Sequence, residues 1–161
     1  MDPIKKKKKK VFTHNTKDAA NALDFGLNVV QILEEDKRYD MEAYIFVMNA
    51  LQYTLGKMDE HRHVSGRELL SGIREFCLLQ FGPMSKVVLE HWGVRNTYDF
   101  GEIVFKLVDA GMMSRRPEDT IEEFRDVYDF KTAFDKPYRR ALSPKIIKKN
   151  ASASKAQQGG C

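Results

Sequence analysis

The amino-acid sequence predicts a mainly α, compact multi-helix domain, and three observations carry that prediction. Apolar residues recur at three- and four-residue intervals through successive stretches, capping residues stand where several of those stretches begin, and glycines stand where they stop. The chain has 161 residues, enough for one domain with a real core, since a domain of ~150 residues buries roughly 70% of its unfolded surface. The expected organisation is a basic flexible N-terminal tail over residues 1–16, a single helical domain over 17–134 and a basic flexible C-terminal tail over 135–161.

The first helix is expected to start near Thr16 or Asp18 and to carry Ala19, Ala22, Leu23, Leu27, Val30 and Leu33 at helical spacing, with Glu34-Glu35-Asp36 at its exit. Asp40 is placed to cap a second helix whose Met41, Tyr44, Ile45, Met48, Leu51 and Leu55 form one apolar face, weakened or ended by Gly56. Ser65-Gly66-Arg67-Glu68 reads as a capping box, hydroxyl and carboxylate each satisfying an amide left unpaired at a helix start. Helix three follows through Leu69, Leu70, Ile73, Phe76, Cys77 and Leu79 to Phe81-Gly82-Pro83, where glycine stops one helix and proline suits the first turn of another.

A short fourth helix, Met84 to Trp92, presents Val87, Val88 and Leu89 and ends at Gly93. Asn96 or Thr97 caps a fifth, whose face is Phe100, Ile103, Val104, Leu107 and Val108 and whose end is Gly111. Gly101 inside that helix costs about 1 kcal/mol against alanine, which implies tight helix contact or a bend. Beyond the polar turn Arg116-Pro117-Glu118-Asp119 a small C-terminal β-hairpin is expected, with its returning arm at Val127-Tyr128-Asp129-Phe130, although Ile121 to Phe124 reads equally as a helical turn. Three helices over 65–111 followed by a hairpin have the outline of a winged helix, which suggests DNA binding.

Charge is distributed unevenly. Residues 1–10 carry Lys5, Lys6, Lys7, Lys8, Lys9 and Lys10 against Asp2, for +5, and residues 136–161 carry Lys136, Arg139, Arg140, Lys145, Lys148, Lys149 and Lys155 with no acid, for +7. The whole chain stands at +4, which leaves residues 11–135 at −8. Attraction for polyanions is therefore expected at Lys5–Lys10, Arg139, Arg140, Lys145, Lys148 and Lys149, because clustered cations shed counterions from phosphates on binding. The segment in the recognition-helix position, Tyr98 to Ala110, carries Asp99, Glu102 and Asp109 against Lys106, a net −2 that disfavours groove entry. A winged-helix regulator would then dock through Arg115 and Arg116.

Several chemistries find no support. No apolar run approaches the ~18 to 20 residues of a membrane span and no apolar segment follows the N-terminal lysines, so the expectation is a cytoplasmic chain without membrane contact. Cys77 in an apolar helix and Cys161 in a Gly-rich end make no disulfide framework, and Cys77 reads as a core thiol. His61 and His63 near Asp59 and Glu60 are chemically suitable ligands, but two imidazoles in a connector specify no geometry, so no metal and no cofactor are expected. The glycines are dispersed and form no phosphate cradle. Tyr39, Tyr44, Phe46 and Tyr53 are interleaved with acids and aliphatics, a pattern of core packing rather than base stacking.

Further stretches stand out as motifs: Arg38-Tyr39-Asp40 with Ala43-Tyr44 and Phe46-Val47, Ala50-Leu51-Gln52-Tyr53-Thr54, His63-Val64-Ser65-Gly66-Arg67-Glu68-Leu69-Leu70 with Gly72-Ile73-Arg74, Gln80-Phe81-Gly82-Pro83-Met84, Trp92-Gly93, Asp99-Phe100-Gly101-Glu102-Ile103-Val104-Phe105 and Val127-Tyr128-Asp129-Phe130. In this combination the chain resembles a small, uncharacterised bacterial protein family, over about Ile32 to Phe134. The resemblance implies a compact domain and transfers no mechanism. Its polar motif positions, Arg38, Asp40, His63, Arg67, Arg74, Asp99 and Glu102, are the candidates for a shared site, with caps and buried ion pairs as their alternative roles. The functional expectation is an interaction protein whose acidic body binds an unidentified protein while its tails contact nucleic acid or ribosomal surfaces. A winged-helix-like transcriptional regulator and a small enzyme are the alternatives.

Overall fold

The computed structural model describes residues 19–60 and 62–141. These form α1 (Ala19–Glu35), α2 (Met41–Gly56), α3 (Gly66–Phe81), α4 (Ser85–His91), α5 (Thr97–Asp109) and α6 (Lys136–Ala141). A 3-10 turn at Gly82–Met84 leads into α4, a second occupies Ile121–Phe124, and a π-helical turn at Lys131–Asp135 runs into α6. The fold is mainly helical. The expected start of the first helix, at Thr16 or Asp18, lies outside the described residues, as do most of both basic tails.

Local signals explain where the helices begin. Ser65 Oγ accepts from the Glu68 amide while the Glu68 carboxylate accepts from the Ser65 amide at 2.9 Å, the reciprocal pair that fixes the start of α3. Asn96 and Asp99 form the same device at α5. Asp40 precedes α2 with extended backbone, but its side chain makes no capping hydrogen bond; the Asp40 amide instead donates to the Trp92 carbonyl, joining this helix start to the loop after α4.

The centre is α2, which packs against α3, α5 and α1. It buries Ala43, Tyr44, Phe46, Val47, Met48, Ala50 and Leu51 around most of its circumference, while Ile45, expected inside, stays 39% exposed. A helix enclosed by neighbours on several sides is apolar on several sides, and a one-face reading picks the wrong subset. Leu69, Leu70, Ile73 and Cys77 of α3, Leu89 of α4 and Phe100, Ile103, Val104 and Leu107 of α5 complete the core with no exposed surface. At α2 and α3 the backbones approach so closely that a Cβ on Gly72 would lie 1.8 Å from Thr54 Oγ1.

For α1 the sequence-chosen face is largely the outward one. Val29 is fully buried and Phe25, Ile32 and Leu33 pack partly against the core, whereas Leu23, Leu27 and Val30 are 67%, 61% and 42% exposed. Both sides of this helix are apolar, and periodicity does not say which side meets the domain.

The expected hairpin is absent: no strand occurs among the described residues, and the winged-helix outline falls with it. The physical reason is that the chain after α5 uses its polar groups on side chains and helices instead of on a partner strand. The Asp119 carboxylate accepts from the Arg116 amide at 2.6 Å and closes the turn, the Val127 amide donates to Thr97 Oγ1, and the Tyr128 hydroxyl donates to the Leu70 carbonyl. Ile121 to Phe124 adopt the helical turn that the sequence also allowed. Phe124 then fills the gap between two helices, where a Cβ on Gly101 would come within 2.8 Å of the Phe124 side chain and one on Gly66 within 2.9 Å. Tight contact, not a bend, accounts for Gly101. Phe130 and Phe134, with ring centroids 5.1 Å apart and edge to face, anchor the arm before the final helix.

Candidate functional site

Four of the seven polar motif positions fall at two separate places, Arg38, Asp99 and Glu102 at one and His63 at the other, and the seven do not meet in one cavity. The first is an ion network joining the exit of α1 to α5. The Arg38 guanidinium donates to Asp36 at 2.7 Å and to Glu102 Oε2 at 2.6 Å, and Lys106 also pairs with Asp36. Two cationic donors hold the Asp36 carboxyl far below its usual value, Arg38 first and Lys106 second, and the two carboxylates raise Arg38 in turn. Alongside, the Tyr39 hydroxyl donates to Asp99 Oδ1 at 2.7 Å while Asp99 Oδ2 accepts from the Arg95 and Asn96 amides. Asp99 thus serves the cap of α5 and a tyrosine on the α1–α2 loop at once. Near these charges the Tyr44 hydroxyl is fully buried and has no hydrogen-bond partner among the described residues, and burial raises its pKa to about 12.

The second place is a cleft of about 750 Å³ lined by Arg62, His63, Ser65, Glu68, Arg115, Arg116, Pro117 and Glu118. His63 sits at its base and pairs through Nε2 with Asp119 at 3.0 Å, the two side chains being 7% and 3% exposed. Burial pulls the imidazole below its ordinary pKa against the opposing pull of Asp119. On the rim, Arg62 donates to Glu68 Oε1 at 2.6 Å and Arg116 pairs with Glu118 at 3.3 Å. The Arg62 contact and the capping amide of Ser65 together bring the Glu68 carboxyl from 4.5 down to about 2. An imidazole this enclosed ties the 115–119 turn to the start of α3, while of the three rim arginines Arg62 and Arg116 pair with carboxylates and Arg115 donates to the Asp119 carbonyl.

Of the remaining candidates, Asp40 stands at the start of α2, Arg67 is exposed on the first turn of α3 and Arg74 is half-buried on the same helix. Arg139 and Arg140 belong to α6, while Lys5–Lys10, Lys145, Lys148 and Lys149 lie outside the described residues, as does His61. Among the described residues no group of three His, Cys, Asp or Glu side chains gathers to hold a metal ion, and no helix is long and apolar enough to cross a membrane. Cys77 is fully buried, and burial pushes its thiol up to about 12, far from thiolate at neutral pH.

Sequence reasoning missed Asp36, Lys106, Arg62 and Asp119 as partners of the motif residues. Each contact bridges side chains that only the folded chain brings together, except Arg38 with Asp36, two positions apart, where the acids Glu34-Glu35-Asp36 followed at once by Lys37-Arg38 were a usable signal. It also missed that solvent-facing apolar side chains form stripes: Leu23, Leu27 and Val30 on α1, and Leu79, Met84 and Val87 around the α3–α4 junction. No family model, no curated protein and no solved structure matches this chain.

Proposed function

We propose that this protein is a non-enzymatic interaction module, its acidic helical body binding a protein partner and its basic ends contacting nucleic acid or a ribosomal surface. The observation that carries the reading is the charge split, −8 over residues 11–135 against +5 and +7 at the two ends. Phosphate attraction scales with clustered cations, and the body repels the same polyanion that the ends attract. The reading is supported by the use to which the motif side chains are put. Arg38, Asp99, Glu102 and His63 are engaged in ion pairs, caps and a buried hydrogen bond that hold helices together. They are spent on the fold, and the unspent features are charge at the ends and apolar side chains on the surface.

The test is fluorescence anisotropy of a labelled single-stranded RNA with the full chain and with a variant in which Lys5–Lys10, Arg139, Arg140, Lys145, Lys148 and Lys149 are all replaced by Gln. Affinity of the native chain should fall by roughly three-hundredfold or more between 50 and 200 mM salt, as expected for about six or more phosphate contacts on a single strand. The Gln variant should not bind at either salt. Retained binding in that variant, or affinity indifferent to salt, overturns the role of the ends.

A further inference from the structure

The outward side of α1 is the least explained surface of the molecule. Leu23, Leu27 and Val30 fall at i, i+4 and i+7, so they stack into one stripe along the helix. The opposite side carries Phe25, Val29, Ile32 and Leu33 onto the core, and α1 rests chiefly on α2. A helix apolar on both sides is one with neighbours on both sides. The described structure supplies only the inner neighbour.

Charge identifies the outer one. Within Ala19–Glu35 the ionisable side chains are Asp24, Glu34 and Glu35, all exposed, with no lysine or arginine on the helix. Acids therefore border the apolar stripe at both of its ends. A second copy of the same helix is a poor occupant. Side by side in parallel it sets Asp24 on Asp24 and Glu34 on Glu34, and antiparallel it sets Asp24 against Glu34 and Glu35, so either arrangement opposes carboxylates. An anionic lipid surface is repelled for the same reason. The run Lys5–Lys10 has the right sign but no apolar side chain within it to cover the leucines.

We infer that the outer stripe of α1 docks a cationic amphipathic helix of another protein, one that presents apolar residues at i, i+3 or i+4, and i+7 with lysine or arginine on both flanks. This is helix-against-helix recognition, with Leu23, Leu27 and Val30 as the anchors and Asp24, Glu34 and Glu35 setting the sign of the partner. It rests on the interaction-module reading above and gives that reading a protein-binding face and a partner chemistry.

The experiment titrates the full chain with two labelled synthetic peptides that share leucines at the same helical positions, one with lysine and one with glutamate at every flanking position. The lysine peptide should bind saturably and the glutamate peptide should not. Leu23→Ser with Leu27→Ser should weaken the lysine peptide by roughly tenfold or more, the scale of losing interface anchors, and Leu79→Ser on the other exposed patch should leave it unchanged. Thermal unfolding of each variant is measured alongside. Its midpoint should not move, because these side chains are already exposed to water in the native state.

Binding that ignores the Leu23/Leu27 change but responds to Leu79→Ser overturns the α1 assignment and leaves the interaction-module reading standing. Failure of both peptides, with RNA binding lost as well, removes that reading too. Self-association in sedimentation velocity that Leu27→Ser abolishes assigns the stripe to a second copy and overturns the inference. So does a gain in peptide affinity on Ile146→Ser with Ile147→Ser, which would show that the chain's own C-terminal segment occupies the stripe.

Discussion

Helices α1 and α5 have similar sequence rhythms and opposite circumstances. Along α5, Phe100, Ile103, Val104 and Leu107 all point inward with no exposed surface, and the charged residues Asp99, Glu102 and Lys106 each have a partner. Along α1 the apolar residues divide between two sides, and the larger aliphatic side chains Leu23 and Leu27 stand in water. One helix is satisfied by its own domain. The other is satisfied on one side alone, and the contrast teaches that periodicity establishes a helix without establishing how many surfaces it is built to meet.

The largest effect that would sharpen this contrast is Phe100→Ala. Removing a ring with no exposed surface from α5 should cost about 3 to 5 kcal/mol in chemical denaturation, because transfer and cavity terms add. A cost below about 1 kcal/mol would break the contrast, since α5 would then be no better packed than the outer side of α1. Next is Gly101→Ala, which forces a methyl to within 2.8 Å of the Phe124 side chain. Overpacking should lower stability by about 1 to 3 kcal/mol despite the better helix propensity of alanine, whereas a stabilised variant would show that the Phe124 ring yields freely.

The smallest effect is at Asp36, where the two helices are tied. Asp36→Asn removes the carboxylate that Arg38 and Lys106 share, and hydrogen exchange should show α1 amides opening more readily while α5 amides keep their protection. Partial exposure of the guanidinium limits the loss to about 1 kcal/mol. The sign of its pH dependence follows from the depressed folded value. The carboxylate contributes its stability above the ordinary aspartate pKa of 3.8 and loses it as pH falls below that value toward the lower folded one. The native chain should therefore lose α1 protection under acid and the Asn variant should show a flatter acid limb. Equal protection of α1 and α5 in the variant would mean that the ion network does not hold α1 in place.

Much of this was legible in the residues. Ser65 with Glu68 and Asn96 with Asp99 announce α3 and α5, because a capping box is local chemistry contained within four positions. The close contact at Gly101 follows from the penalty that glycine carries in a helix. The wrong side of α1 and the missing sides of α2 were not legible, since which stripe is buried depends on where neighbouring helices lie. The hairpin failed for a related reason: Val127-Tyr128-Asp129-Phe130 has strand composition, but the Thr97 hydroxyl and the Leu70 carbonyl, far away in sequence, take up its polar groups. The candidate site fared similarly. Arg38, Asp99, Glu102 and His63, named as candidates for a shared site, take up the ion pairs and cap that were their alternative roles, and their partners Asp36, Lys106 and Asp119 came only with the fold.

The ring of Phe124, lodged between Gly66 and Gly101, makes three distant positions a single unit of inheritance. A side chain larger than hydrogen would meet Phe124 at its Cβ from Gly101 and at its ring edge from Gly66, where Glu123 crowds as well, so a change at either glycine requires the 123–124 segment to shift. The same geometry sets a dependence: the slot that receives the ring exists only where α3 and α5 hold their spacing, so the seat of the 121–124 turn is made by two helices that it did not itself form.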